Sequence, residues 1–351
     1  MDAAAADAVV HFSLKLTESE LRSFLARLAE WRDAKVAADA DGDDGNGEGG
    51  GDGGALFAPR SEDESKAARA WRKHARGVTY FTLIGALAAR LRSIFTPSMG
   101  LIWPHAADAL AALAEKTGEF SAAHGGFLAA ERASMSGQGA AAGAGAATGS
   151  GKKDKKRKLS EVGGTEDGGA ERGDKATRKA LHARRALHEQ ALRATHALAC
   201  VRSACVHDAD GFLDEARYTA MMPAVVDAVS ARDAFPSDAV YLAFVAGPVA
   251  ACLAALARAV AKDVLWKPLN HRLLLLTRDA GRKAVRVGAV HVLHKLFQEV
   301  GEEYLLLLPE CLPFLSELLE DDAADVTAAA GELIRYIEEL SGEKLDSYLQ
   351  S

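Results

Sequence analysis

Apolar residues recur at intervals of three and four along most of this chain, the period of a helix with one buried face. In "TESELRSFLARLAEW", Leu21, Phe24, Leu25, Leu28 and Trp31 fall on one face. The segment opens with a capping box, in which Thr17 accepts from a first-turn N–H while Glu20 reaches back. Phe81, Ile84, Leu87, Leu91 and Ile94 mark a second helix, which should stop before Pro97. A third is predicted over roughly 101–117, ending near Gly118. Further helices are predicted at about 177–206, 213–230, 238–262, 268–277, 282–300, 303–319 and 323–340. Only "AVVHFSLKL" has a strand-like look, and it reads better as the entry to the first helix pair. The expected fold class is all-α.

Two segments break the pattern. Residues 37–60 include "DADGDDGNGEGGGDGG", acidic and Gly-rich. Residues 133–176 run from an Ala/Gly/Ser stretch into "KKDKKRKLSEVGG". Neither can bury enough apolar surface to offset chain entropy, so both are expected to be disordered loops. The expected organisation is therefore a helical part at 1–132 interrupted by 37–60, a linker at 133–176, a helical continuation at 177–262, and repeats at 263–351.

The repeats show as self-similarity. A 41-residue offset superposes Pro268 on Pro309, Val285 on Val326, Leu293 on Ile334, Leu296 on Ile337, Gly301 on Gly342 and Glu302 on Glu343. A period near forty with two helices per unit is the spacing of HEAT and armadillo-type repeats. Each helix pair buries one side and needs the next pair to bury the other, which predicts an α-solenoid. Within that frame Asp279 is a turn and N-cap residue, with Asp321 or Asp322 its counterpart, rather than a catalytic acid.

Composition adds limits. Alanine-rich helices and few aromatics (6%) fit an all-α core, and the formal charge of −7 argues against a surface that wraps nucleic acid uniformly. Cys200, Cys205, Cys252 and Cys311 form no CxxC pair and lie in apolar patterns, so they read as buried thiols of a reducing compartment. No basic n-region with a long apolar run opens the chain, and "YLLLLPECLPFLSELL" is too short and Pro-broken to span a bilayer; no membrane association is expected. "GAATGSGKK" fails as a phosphate loop, because Ala146 and Lys153 stand where Gly and Ser or Thr are needed. "HDADGFLDE" lacks the acids an EF-hand requires at Val206 and Arg217. His291 and His294 have no third ligand nearby and read as polar-face histidines. No catalytic signature, metal site or cofactor motif emerges, and no enzymatic role is expected.

The block "DVLWKPLNHRLLLLTRD…AVRVGAVHVLHKLFQEVGEEYLLLLPECLPFLSELLEDD", ending in "GEKLDSYL", resembles the C-terminus of the HEAT repeat-containing protein 1 family. "FSLKLTESELRSFLARLAEW", "TYFTLIGALAARLRSIFTP" and "EARYTAMMPAVVDAV" are similar to the domain that precedes those last repeats. The resemblance implies a large α-solenoid component of the small-subunit processome, acting in nucleolar pre-rRNA processing and linked to ribosomal DNA transcription. It implies other processome proteins as partners, with pre-rRNA or small nucleolar RNA as a further contact. A second reading stays open, a HEAT-repeat adaptor in transport or signalling with no ribosomal role. "LWKPLN" and the upstream blocks favour the first, since generic repeat packing does not demand them.

Two clusters are candidate contact sites. Lys152, Lys153, Lys155, Lys156, Arg157 and Lys158 form a compact basic run suited to an import receptor, which implies a nuclear and nucleolar location. Arg278, Arg282, Lys283 and Arg286 gather at a repeat turn, where they either make a ridge for phosphate or an acidic protein, or solvate the turn and pair with Asp279.

Overall fold

The computed structural model describes residues 3–33, 62–131, 167–345 and 348. The acidic stretch 37–60, the basic run 152–158 and most of 133–176 lie outside the described residues. Among the described residues every regular element is a helix. In chain order these are α1 (Ala3–Ser13), α2 (Glu18–Asp33), α3 (Glu62–Leu91), α4 (Met99–Ala123), a short α5 over 125–131 and α6 (Asp167–Val206). They continue as α7 (Glu215–Asp227), α8 (Asp238–Phe244), α9 (Ala250–Val260), α10 (Asp263–Leu276), α11 (Lys283–Val300), α12 (Leu308–Leu319) and α13 (Ala324–Ser341).

The capping box at α2 forms as expected. Thr17 N–H donates to Glu20 Oε2 at 2.8 Å, and Glu20 N–H reaches Thr17 Oγ1 at 3.4 Å. The "AVVHFSLKL" segment enters α1, where the Ser13 hydroxyl donates to the Val9 carbonyl. Several boundaries differ from expectation: α10 starts at Asp263 rather than 268, α12 at Leu308 rather than 303, and the π-turn Val245–Val249 divides the helix expected at 238–262. Gly118 lies inside α4, and α6 starts at Asp167 rather than near 177. A 3-10 turn over Arg92–Ser98 takes in Pro97 instead of stopping before it. That turn also rotates Ile94 off the core face, leaving it 73% exposed. Trp31 too is exposed, with the Arg76 guanidinium 5.6 Å from its ring.

The 40-residue α6 is the spine of the N-terminal part. At about 1.5 Å per residue it is roughly 60 Å long. Ala191, Ala194, Ala197 and Ala204 are buried along it. Side chains this small let α3 and α4 pack closely on one side and α9 on another. The four cysteines are buried, and burial pushes the thiols of Cys205 and Cys311 up to about 12. They behave as small apolar residues; the Cys200 thiol donates to the Phe81 carbonyl at 3.3 Å.

From α7 onward the helices stack as pairs. Val285 and Val326, both fully buried, occupy the third positions of α11 and α13. Gly301 and Gly342 close those helices at φ 78° and 73°, a left-handed backbone open mainly to glycine. The 41-residue register is therefore realised at both ends of the helix. "LWKPLN" is explained by the stacking. Trp266 Nε1 donates to the Ala257 carbonyl at 2.9 Å, and Asn270 meets the Cys311 thiol one repeat later, 41 residues on. Two stretches, Ala75–Ala123 and Asp238–Val260, are long and apolar enough to cross a membrane by length and composition. In this fold α8 and α9, from the second, pack into the core against α11, and α9 also against α6 and α7.

Candidate interaction surface

The turns that join the C-terminal helix pairs carry a network of polar contacts. At the α10–α11 turn, the Thr277 hydroxyl donates to the Leu274 carbonyl at 2.6 Å and closes α10. Asp279 Oδ1 then accepts from Gly281 N–H at 3.1 Å, a short-range turn bond. At the α12–α13 turn, Asp321 Oδ1 accepts from Ala323 N–H at 2.9 Å in the same way. Asp279 is thus a turn residue as expected, but not the N-cap. Arg282 holds that position, with no side-chain cap, because Asp279 is committed one step earlier.

The four basic residues of the turn all meet carboxylates. Arg278 bonds Glu317 through Nε and Nη2, at 2.7 and 2.6 Å, and stacks its guanidinium 4.0 Å from the centre of the Phe314 ring. Lys283 reaches Asp325 at 2.9 Å. Arg286 reaches Asp321 at 2.8 Å, both side chains being 14% exposed, and also donates to the Asp279 carbonyl at 2.7 Å. Arg282 faces the other way. It pairs with Asp279 at 2.6 Å and donates to the Ser230 carbonyl of the preceding unit at 2.8 Å. The cluster is a clasp between successive units: Arg282 pairs with the Asp279 carboxylate, whereas Arg278, Lys283 and Arg286 pair with Glu317, Asp325 and Asp321 of the next unit. Arg258 and Glu299, 41 residues apart, repeat the device between α9 and α11.

The partners Phe314, Glu317, Asp325 and Ser230 were not singled out from sequence. Their signal is a spacing of opposite charges near the repeat period: 39 residues for Arg278 and Glu317, 42 for Lys283 and Asp325, 35 for Arg286 and Asp321. The Arg278 bonds hold the Glu317 carboxyl below its ordinary 4.5. Burial pulls Asp321 upward, but the Ala323 N–H and Arg286 outweigh it and the net shift is down. A carboxylate depressed in the folded state adds stability above its unfolded value and loses it as pH falls through the folded one. The α10–α13 region is therefore expected to lose stability below about pH 4.5, gently, because exposed pairs contribute ~0–1 kcal/mol each. Urea midpoints at pH 7 and pH 3.5 check this; Glu317→Gln should flatten part of the difference.

A cleft of about 520 Å³ lies where α4 and α5 meet the first repeat turn, with Ser121, Asp233, Gly281 and Arg282 in its wall. Asp233 is buried and accepts from the Ser121 hydroxyl at 2.7 Å. His291 and His294 are half-buried rather than on the polar face. The His294 ring lies 5.0 Å from Tyr336 on α13, and burial lowers the pKa of both. Asp208 serves the loop before α7 by accepting from the Phe212 and Leu213 N–H groups. Among the described residues no group of three His, Cys, Asp or Glu side chains could hold a metal ion.

Residues 1–213 match the BP28CT (NUC211) domain. The chain belongs to the BP28CT family. Helices α1 to α6 form the BP28CT part, and the paired helices follow it directly. The chain is 35% identical over 151 residues to the human HEAT repeat-containing protein 1, covering 43% of this chain and 7% of that protein. It is 37% identical over 145 residues to the U3 small nucleolar RNA-associated protein 10 of Chaetomium globosum, covering 41% and 8%. An uncharacterized protein of Arabidopsis thaliana is 26% identical over 350 residues, 97% of this BP28CT chain and 12% of the relative. The chain thus spans a small fraction of the length of each relative.

Proposed function

We propose that this chain is a non-enzymatic scaffold segment in ribosome biogenesis, acting within the small-subunit processome in pre-rRNA processing. The observation that supports it is the BP28CT match over residues 1–213, joined to relatives named for HEAT repeats and for U3 small nucleolar RNA. A stack of helix pairs suits such a role, because it offers a long surface whose shape is fixed by neighbour contacts. The clasp at the repeat turns presents alternating charges of both signs, a pattern that selects a partner protein by orientation. Phosphate contact at Arg278, Arg282, Lys283 or Arg286 would have to displace a carboxylate already in place. Protein partners are therefore the reading for this face, and other processome proteins the class.

The basic run Lys152, Lys153, Lys155, Lys156, Arg157 and Lys158 is assigned to an import receptor, and the helical body to nucleolar retention by protein contacts. One experiment tests both. The tagged chain and a variant with these six residues changed to Gln are expressed in cells, imaged and purified. The wild type is expected in nucleoli, with pre-ribosomal RNA and processome proteins in the eluate. The six-fold variant is expected in the cytoplasm with an unchanged melting temperature. A nucleolar six-fold variant would reduce the run to a linker, and a wild-type eluate without processome proteins would remove the scaffold reading.

A further inference from the structure

Arg32 of α2 and Arg193 of α6 both bring their guanidinium groups to α3, and among the described residues only that of Arg32 is hydrogen-bonded to a carboxylate. Arg32 is 13% exposed; it bonds Asp33 through Nε and Nη2 at 2.8 and 2.5 Å and sits 4.8 Å from the centre of the Tyr80 ring. Its Nη2 also lies 2.8 Å from His105 Nδ1. Burial and the Arg32 charge lower the pKa of His105, which leaves that ring neutral and able to accept. Asp33 is therefore already engaged by one fork.

Arg193 reaches the same place from α6. Its stem lies against Gly77 of α3, so close that a Cβ there would sit 2.7 Å from Arg193 Cδ. Glycine at 77 is what lets this side chain lie flat on the α3 backbone. Arg193 Nε is shielded from solvent without a hydrogen-bond partner, and the guanidinium makes no hydrogen bond or ion pair among the described residues. Burial and the nearby Arg32 charge lower its pKa, with Asp33 acting the other way without bonding to it. Gly77 and Tyr80, the two α3 residues these arginines touch, are one turn apart, about 5–6 Å. Among the described residues, Arg193 thus brings a free fork to the α3 face beside Arg32, whose Nη1 is left over by Asp33 and His105. A half-buried cation without a partner is costly, and an anion relieves that cost.

We propose that Arg193 and Arg32 form a phosphate-binding site on the BP28CT part of the chain. A phosphate group offers several acceptor oxygens and more charge than a carboxylate, so one group can take the Arg193 fork and the Arg32 Nη1 together without displacing Asp33. The phosphate is that of an RNA backbone or the free ion. The inference stands on the α2–α3–α6 seam and does not depend on the scaffold reading.

The test uses the 351-residue chain, with inorganic phosphate titrated at constant ionic strength against chloride. A saturable rise in melting temperature is expected, because a ligand bound only by the folded state stabilises it. Arg193→Gln should weaken apparent phosphate affinity by about tenfold or more, the loss of charge-assisted hydrogen bonds. Arg32→Gln should weaken it too, and Arg335→Gln, on the exposed face of α13, should leave it unchanged. Arg193→Lys keeps the charge and the stem on Gly77 but removes the fork, so weaker binding with an unchanged circular dichroism spectrum is expected even if the Gln variant folds poorly. A labelled oligouridylate forms the second arm. Displacement by phosphate and weakening by Arg193→Lys identify the RNA backbone; indifference to Arg193 identifies the free ion. No saturable rise over chloride, or wild-type phosphate binding by Arg193→Lys, overturns the proposal.

Discussion

Leu293→Ala is expected to lower the stability of the chain by about 2–5 kcal/mol, the cost of emptying a buried leucine site that its neighbours fill only in part. Leu293 is 1% exposed on α11, the helix that packs on α9 on one side and α13 on another. Neither neighbour is free to move inward, because each is held by its own contacts. In a stacked array the loss stays with the units that share the cavity. Hydrogen exchange should therefore quicken in α11 to α13 while the α3–α6 packing keeps its protection. An unchanged unfolding midpoint would show that the stack does not depend on this side chain.

Gly288→Val should cost about as much, for the opposite reason. A Cβ at 288 would meet the Tyr241 hydroxyl at 3.0 Å and Val245 Cγ1 at 3.2 Å. That hydroxyl donates to the Val229 carbonyl at 2.5 Å in the core, and it cannot yield without breaking the bond. Val245 sits in the π-turn Val245–Val249, where Pro248 has no N–H to continue the ladder. Overpacking of this kind costs roughly 1–3 kcal/mol, and the lost Tyr241 bond adds to it. Gly288→Ala tests the mechanism more finely. It gains about 1 kcal/mol of helix propensity but still crowds the hydroxyl. In a Tyr241→Phe background the nearer of the two crowding atoms is gone, so the alanine should become more favourable by a measurable coupling in a double-mutant cycle. Additive effects would mean that α8 and α11 are not in contact at this point.

Much of the fold is legible in short stretches. The capping box at Thr17 and Glu20, the helix faces through Leu21, Leu25, Phe81, Ile84 and Leu87, and the pairing of Val285 with Val326 rest on residues within a turn or two. The misreadings come where a local rule met a tertiary one. Gly118 is a helix breaker by propensity, but it sits inside an α4 packed on α6 and α7, and packing outweighs about 1 kcal/mol of propensity. Ile94 continues a 3.6-residue pattern, yet the 3-10 turn has a different pitch and carries it outward. The candidate interaction surface is half legible. Its cations stand out as a cluster, whereas their carboxylates are a full repeat away and look like ordinary surface residues until the units are stacked.

The sequence by itself determined the helices, the 41-residue period and the two glycines that end equivalent helices, because each depends on the conformation of a few consecutive residues. Only the tertiary structure decided what each charge faces. It closed Arg278, Lys283 and Arg286 onto the next repeat and left Arg193 against Gly77 with no carboxylate hydrogen-bonded to it among the described residues. The physical reason is distance along the chain. Helix propensity and capping act within one or two turns, while the Coulomb and desolvation energies that fix a charge's role depend on groups brought together from far along the chain by burial of the apolar faces.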